Sequence, residues 1–496
     1  MICVSIGRGR HKHVIAEHKH LVEQGAQLCE LRLDYITGTI KLRRLLENRP
    51  GPVVITYRRE RDGGRYSGDE QARQMVLRTA IAEGADYVDL EEDIAASVPR
   101  YGKTKRIISY HNFRETPADL EGLHRRMQQL DPDIVKIATM ANSPQDNVRI
   151  LELARNSEIP TIGLCMGDMG MPSRILGGRF GCPFTYATSS NERTLAPGQI
   201  GFRQMVDLYR YEEITDETEL YGVVADPVGH SLSPHLHNAA FSEQGMNRSY
   251  LPFRVPREHL AVFLSEVCPQ LGVKGLSVTI PHKEAAAQFV QHPDDAVKGV
   301  GATNTIVFDE KGTSGFNTDC DSAMESLDTA LPPESRGGSL EGKRVLILGS
   351  GGVARGIVWA LKQRKATIII SSRTQENAEE LAAHFGCRSI HWDDRGSVVP
   401  DILINGTPVG MHPNVNETPF DKRWIKPSML VFDTVYNPEQ TLLVKESRAT
   451  GARVVTGVEM FVRQAALQFK HFTGVETSRE LMRSTLKRIT GAVRTN

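Results

Sequence analysis

The sequence predicts an α/β protein in two halves: an N-terminal (β/α)8 barrel, then a two-domain α/β unit containing a doubly wound parallel sheet. Three observations predict it. Short β-branched runs recur every roughly 20 to 35 residues through the first half, with helical patterns between them. A second alternating set begins after an acidic stretch at 212–219. Inside that set, residues 343–374 read as strand, glycine-rich turn, helix and strand. With 496 residues, the chain has room for about three domains of roughly 150 residues each.

The eight barrel strands are expected at 2–6, 28–33, 53–57, 87–90, 106–110, 134–139, 161–165 and 184–187, with helices such as 69–83 and 146–155 between them. Their polar residues are placed tellingly. Glu30 and Arg32 lie in the second strand, Arg58 just after the third, Asp89 and Glu91 at the end of the fourth. His111 closes the fifth and Lys136 interrupts the sixth. Barrel enzymes gather their reactive groups at the C-terminal ends of the strands, so these side chains should converge on one mouth. A lysine between Val135 and Ile137 is poorly solvated. Desolvation and nearby cations such as Arg32 or Arg58 would lower its pKa and make the amine nucleophilic. A single strand lysine more often snorkels to the rim. The set of residues is what argues for chemistry.

With Glu-Leu-Arg-Leu-Asp at 30–34, Ser-Tyr-His-Asn-Phe at 109–113, Thr116-Pro117, Lys136-Ile137-Ala138, Met166-Gly167 through Ser173-Arg174, and Ala196-Pro197-Gly198-Gln199, the first half resembles type I 3-dehydroquinate dehydratase. The resemblance implies that Lys136 forms an imine with the substrate ketone, that His111 is the general acid/base and that Glu91 orients His111. It also implies that Arg174 pairs with the substrate carboxylate, while Glu30, Arg32, Arg58 and Gln199 hold the ring and its hydroxyls. An imine is an electron sink that acidifies the neighbouring C–H, so this elimination needs no metal. One departure stands out: Leu195 occupies the place where the family usually has serine. That change bears on a substrate contact or on loop closure.

The acidic stretch ends at a new strand, 221–225, followed by a helix at 234–243, a strand at 250–253, a helix near 256–267 and a strand at 275–280. Ser231 and Ser233 precede the first of these helices, where hydroxyls and helix N–H groups can hold a carboxylate, or where a serine can simply cap the helix. Lys283 falls in the first turn of an expected helix, a position the helix dipole disfavours for a cation. It is therefore expected to be there for a task.

In 343–374, Gly349 permits the tight turn, Gly351 lets the backbone approach a pyrophosphate, and Gly352 opens the helix. The second strand ends Ser372-Arg373-Thr374, without the acid that an NAD site usually carries there. The fork of Arg373 suits a 2′-phosphate, so the expected cofactor is NADP.

Together with Thr279-Ile280-Pro281-His282-Lys283, Gly301-Ala302-Thr303-Asn304-Thr305, Gly315-Phe316-Asn317-Thr318-Asp319, Asn405-Gly406-Thr407-Pro408, Val435-Tyr436-Asn437-Pro438 and Gly457-Val458-Glu459-Met460, residues 220–490 resemble shikimate dehydrogenase. The resemblance implies a Lys283–Asp319 catalytic pair. It implies that Ser231 and Ser233 bind the substrate carboxylate, that Thr279, Asn304, Tyr436 and Gln464 contact the substrate, and that Gly457 and Met460 lie near the nicotinamide. Helices at 460–469 and 479–488 would return to complete the substrate domain.

The expected organisation is a barrel at 1–212, a linker at 213–219, a substrate domain at 220–325, an NADP domain at 326–458 and returning helices at 459–496. Two adjacent steps on one chain resemble the bifunctional dehydratase–dehydrogenase of the shikimate pathway. The expected ligands are therefore 3-dehydroquinate, 3-dehydroshikimate and shikimate. A quinate-preferring dehydrogenase and a non-catalytic metabolite sensor are the alternatives, and the presence of Lys136, His111, Lys283 and Asp319 argues against the sensor. Sixty basic and sixty acidic residues cancel, which points away from nucleic acid and anionic membranes. Seven scattered cysteines without a CxxC, and no secretory or membrane-spanning pattern, suit a cytoplasmic enzyme. His11, His13, His18 and His20 lack further ligands at metal spacing, and no metal is expected.

Overall fold

The computed structural model describes residues 1–190 and 194–492. The chain forms two compact units, Met1–Ser231 with Met246–Val273, and Leu232–Gly245 with Lys274–Asn496.

The first unit contains eight parallel strands: β1 (Ile2–Ile6), β2 (Leu28–Arg32), β3 (Val53–Thr56), β4 (Tyr87–Glu91), β5 (Lys105–Asn112), β6 (Ile134–Met140), β7 (Thr161–Met166) and β8 (Thr185–Thr188). Their order is β7-β6-β5-β4-β3-β2-β1-β8, so the sheet curls until β8 pairs with β1. No pairing joins β7 to β8 among the described residues. Strands covered on both faces need apolar residues at every position, and β1, β2, β3 and β7 are buried throughout. Cys3, Leu28, Val54, Ile107, Ile134, Ile162 and Phe184 fill the interior. Phe184 meets Tyr87 and Tyr186 edge-on, at 6.2 and 5.6 Å between ring centres. The helix Glu70–Ala82 starts where Asp69 accepts the Ala72 N–H.

The same unit holds β9 (Glu219–Ala225), paired in parallel with β10 (Arg248–Arg254). The acidic stretch before β9 is pinned: Thr218 Oγ1 receives the Thr215 N–H and donates to Asn247, and Arg179 donates to the Thr218 carbonyl. The helix expected near 256–267 is broken into a 3-10 turn (Arg257–His259), an α turn (Leu260–Val262), a π turn (Phe263–Val267) and a last α turn (Cys268–Leu271). Pro269 explains the break. It has no N–H to offer four residues back, and its ring would meet the carbonyl of Ser265, so the preceding turn widens.

In the second unit, β11 (Val273–Val278) pairs antiparallel with β13 (Thr305–Asp309), β13 pairs antiparallel with β14 (Gly312–Phe316), and β14 carries the two-residue β12 (His292–Pro293). A six-stranded parallel sheet follows, β15 (Arg344–Leu348), β16 (Thr367–Ser371), β17 (Arg388–Ser389), β18 (Ile402–Asn405), β19 (Leu430–Asp433) and β20 (Arg453–Val455), in the order β17-β16-β15-β18-β19-β20. The chain reverses direction across this sheet between β15 and β18, and ligands of doubly wound sheets lie in the crevice that such a reversal opens. The long helix Gly457–Thr473 packs along Thr318–Ala330, and Arg479–Ala492 packs on Ser233–Glu243. Among the described residues, no helix is long and apolar enough to cross a membrane.

Candidate active sites

Strand register sets the floor of the first site. Lys136 on β6 lies opposite Ser109 on β5, and Ser109 lies opposite Glu91 on β4. Above them opens a cavity lined by Glu30, Arg32, Arg58, His111, Lys136, Arg174 and Gln199, so most of the barrel residues singled out by sequence border one space. Asp89 and Glu91 are the exceptions. Asp62, Phe113, Tyr186 and Leu195 complete the wall.

The charges inside are arranged as a clamp. Lys136 Nζ donates to Asp89 Oδ2 at 3.0 Å and stands 4.0 Å from Glu30 Oε1 and 4.0 Å above the Tyr186 ring. Arg58 bonds Asp89 through Nη2 (2.8 Å) and Glu91 through Nη1 (2.9 Å). Ser109 Oγ donates to Asp89 Oδ1 at 2.6 Å, while Ser5 and Thr56 donate to the two oxygens of Glu30. Burial pushes the Asp89 carboxyl up, but Arg58 and Lys136 hold it well below the usual carboxylate range. Burial lowers His111 well below an ordinary imidazole, and Arg58 and Lys136 act in the same direction. His111 is therefore neutral at pH 7, and its buried Nδ1 has no hydrogen-bond partner. Arg174 is 1% exposed, donates to the Pro197 carbonyl at 3.1 Å and is pulled down to about 10 by burial. It faces no carboxylate among the described residues, which is an unusual state for a buried guanidinium.

Two expectations are corrected. Glu91 does not orient His111: its Oε1 takes Arg58 and its Oε2 takes the fully buried Arg73, at 2.9 Å each. Lys136 is flanked by carboxylates rather than cations, because Arg32 turns to a bidentate pair with Asp34 and Arg58 turns to Asp89 and Glu91. Gln199 Oε1 accepts the Leu195 and Ala196 N–H groups and so fixes its own loop. Leu195 packs toward Gly7 and Tyr35. Sequence reasoning assigned no role to Asp89, Ser109 or Tyr186. Strand alternation was the available signal, since it puts Asp89 and Glu91, and Phe184 and Tyr186, pairwise on one face.

In the second unit, Lys283 opens the helix Lys283–Ala287 and its Nζ pairs with Asp319 Oδ2 at 2.5 Å, both side chains largely buried. Asn304 is fully buried: its Oδ1 accepts the Thr318 N–H and its Nδ2 donates to Thr318 Oγ1. The helix Gly457–Thr473 reaches the same place through Gln468, whose Nε2 donates to the Asn304 carbonyl at 2.9 Å. Gln464 lies half-buried one turn earlier, and Thr279 is half-buried just beyond β11. The N-cap of Ser233–Glu243 is Leu232, so neither Ser231 nor Ser233 occupies the capping position that would have explained them structurally.

The glycine turn follows β15. Gly349 has φ +105°, a Cβ at Gly351 would meet nothing within 4 Å, and one at Gly352 would lie 3.7 Å from Lys283 Cδ. The catalytic-type lysine and the dinucleotide-type turn therefore adjoin. Ser350 Oγ donates to Ser372 Oγ at 3.1 Å, while Arg373 and Thr374 are exposed and Arg373 has no carboxylate partner among the described residues. Tyr436 stacks on Phe461 at 4.2 Å, next to the buried Met460. A side chain at Gly457 would run into the Val435 carbonyl, so the helix passes as close to β19's end as backbone allows. No group of three or more His, Cys, Asp or Glu among the described residues is placed to hold a metal ion. Of the N-terminal histidines, His18 is buried and His11 accepts the Lys41 N–H.

Residues 2–216 match the family model of type I 3-dehydroquinase, and residues 223–306 that of the shikimate dehydrogenase substrate-binding domain. Residues 333–404 match shikimate/quinate 5-dehydrogenase, and 457–487 the shikimate 5′-dehydrogenase C-terminal domain. The chain is 38% identical over 504 residues to the chloroplastic bifunctional 3-dehydroquinate dehydratase/shikimate dehydrogenase of Arabidopsis thaliana, covering 97% of this chain and 83% of that one. It is 40% identical over 283 residues to the shikimate dehydrogenase (NADP(+)) of Methanosarcina mazei, covering 54% of this chain and 97% of that one. A shikimate dehydrogenase solved in complex with NADP+ superposes with a TM-score of 0.52 at 34% identity, over 56% of this chain and 97% of that chain. The chain belongs to the family of bifunctional 3-dehydroquinate dehydratase/shikimate dehydrogenases.

Proposed function

We infer that the two sites catalyse consecutive reactions, dehydration of 3-dehydroquinate in the barrel and reduction of the resulting 3-dehydroshikimate to shikimate in the second half. One observation carries the first step: Lys136 is the one lysine lining the barrel cavity among the described residues, and it shares that cavity with a neutral histidine and an arginine that has no carboxylate partner among those residues.

Arg174 takes the ring carboxylate, which brings the ketone to Lys136. Asp89 is already engaged by Arg58, Ser109 and Lys136, whereas His111 lines the same cavity with a ring nitrogen that has no partner among the described residues, so His111 takes the ammonium proton. The freed amine adds to the carbonyl carbon, and the oxygen leaves as water to give the iminium. His111 then removes the proton from the adjacent carbon, and the electron pair moves to nitrogen. Its return expels the β-hydroxyl, which departs as water with the proton from His111. Hydrolysis releases product and Lys136. Glu91, Arg58 and Arg73 act as the frame that keeps Asp89 in place, while Glu30, Arg32 and Gln199 border the ring.

The second site fits NADP. The turn is open at Gly351, the second strand ends in hydroxyls and an Arg373 without a carboxylate partner among the described residues, and it carries no acid to bind a free ribose 2′-hydroxyl. Gly349, Gly351 and Gly352 would line the pyrophosphate, Ser372, Arg373 and Thr374 the 2′-phosphate, and Gly457 and Met460 the nicotinamide. When bound, the cofactor supplies the hydride. The chain supplies the rest: Lys283, held by Asp319, delivers the proton to the ketone oxygen. Ser231 and Ser233 would hold the carboxylate, and Thr279, Asn304, Tyr436 and Gln464 the ring. These roles go with a barrel domain at 1–212, a linker at 213–219, a substrate domain at 220–325, an NADP domain at 326–458 and closing helices from 459. Seven free cysteines, six of them buried, support a cytoplasmic setting.

The test is a coupled assay of the purified chain with 3-dehydroquinate and NADPH. Steady NADPH loss is expected, abolished by Lys136→Ala and by Lys283→Ala, with Lys136→Ala restored by added 3-dehydroshikimate. Silence on both substrates would sink the reading.

A further inference from the structure

Tyr186 is a part of the barrel cavity that the steps above leave unused. It lies on β8 two residues after Phe184, so strand alternation turns both rings into the barrel. Tyr186 is 3% exposed, lines the cavity, and holds its ring 4.0 Å beneath Lys136 Nζ. Its Oη is buried and has no hydrogen-bond partner among the described residues. A buried hydroxyl in that state is costly, and a phenylalanine would fill the same space without the cost. Phe184, whose ring meets that of Tyr186 edge-on, shows that a bare ring packs well in this interior. The oxygen is therefore a liability to the fold and an unused donor at the floor of a site. It is carried by the ring that Nζ overlies, which keeps it near any carbon bonded to Nζ.

We propose that Tyr186 is a further catalytic residue of the dehydratase: its O–H donates a hydrogen bond to the substrate oxygen on the carbon that bonds Lys136, and holds that oxygen as it leaves. The proposal rests on Lys136 being the imine-forming amine. In this step the N–C bond forms as the C=O pair moves to oxygen. That oxygen gains one proton from the nitrogen and one from His111, which earlier took it from the ammonium, and departs as water. Tyr186 keeps its own proton throughout. Burial pushes its phenol well above the ordinary range, which suits a permanent donor. The ring beneath Nζ serves the same step by steadying the cationic nitrogen of the ammonium and then of the iminium.

The experiment uses the full chain. Wild type and Tyr186→Phe are mixed with 3-dehydroquinate, quenched at intervals with sodium borohydride, and the reduced Lys136 adduct is quantified by mass spectrometry. In Tyr186→Phe the adduct is expected to form at least ~10-fold more slowly, with kcat for dehydration falling in step and KM within about twofold of wild type. Reduction of 3-dehydroshikimate by NADPH should be unchanged. Adduct formation at the wild-type rate would overturn the proposal. So would a Tyr186→Phe melting temperature several degrees below wild type, which would mean that the O–H is already bonded in the empty fold. Absence of any Lys136 adduct in wild type would instead refute the imine reading itself.

Discussion

Replacing Arg174 by methionine should make the barrel more stable and the dehydratase nearly unable to hold its substrate. Arg174 is 1% exposed, with one backbone carbonyl as hydrogen-bond partner and no carboxylate among the described residues. Burial pulls it from 12.5 to about 10. A depressed pKa on a basic group means that the fold disfavours its charged form, by about 3 kcal/mol at 1.36 kcal/mol per unit. Since pH 7 lies below the folded value, the group stays charged and the full cost is present. Methionine has a similar length and no charge, so Arg174→Met should recover about 1–3 kcal/mol, visible as a higher urea midpoint of the barrel transition. The same change removes a charge-assisted bond to the substrate carboxylate, worth about 1.5–3 kcal/mol, so kcat/KM for 3-dehydroquinate should fall roughly 10- to 150-fold, chiefly through KM. Turnover of 3-dehydroshikimate with NADPH should be untouched. A less stable variant with an unchanged KM would refute the reasoning, because Arg174 would then be a structural cation with a partner.

Glu91→Gln should behave as a structural lesion rather than a loss of acid/base chemistry. It strips one partner each from the buried Arg58 and Arg73, at a cost of about 3 kcal/mol in chemical denaturation, and the pH dependence of any residual dehydratase activity should keep its shape. His18, buried and lowered to about 4 by desolvation, should make stability fall with acid. Its unfolded form binds a proton near 6.5 and its folded form does not until about 4, so its contribution is complete above 6.5 and is lost as the pH drops through that window. Between pH 8 and pH 5 the loss is about 2 kcal/mol, and His18→Gln should flatten the urea-midpoint profile by that amount. Arg373→Ala should raise KM for NADPH about 10- to 100-fold while changing KM for NADH little, as read from initial rates with 3-dehydroshikimate.

Much of this molecule is legible along the chain. The eight barrel strands fall within one or two residues of their expected positions, because strands buried on both faces must be written as continuous apolar runs. The glycine turn at 349–352, with its positive φ at Gly349, is legible for a similar local reason, since few residues other than glycine adopt that backbone. The convergence of His111 and Arg174 on one mouth follows from their places near or beyond strand ends, and Lys136, inside β6, joins them because its side chain points into the barrel. The helix expected near 256–267 is present as contiguous helical turns over 257–271, and the π turn inside it has a local cause, Pro269.

Pairing inside the barrel was not legible. Glu91 went to Arg58 and Arg73, Lys136 went to Asp89, and Arg32 went to Asp34. Long charged side chains inside a barrel choose among several partners at similar distances. That choice minimises the total cost of burying all of them together, so it belongs to no single strand. That Arg174 has no carboxylate partner and the Tyr186 hydroxyl no hydrogen-bond partner among the described residues is of the same kind. A sequence shows which polar groups enter an interior, but only the assembled tertiary structure shows which of them remain without a partner, because desolvation and pairing are decided by every neighbour at once.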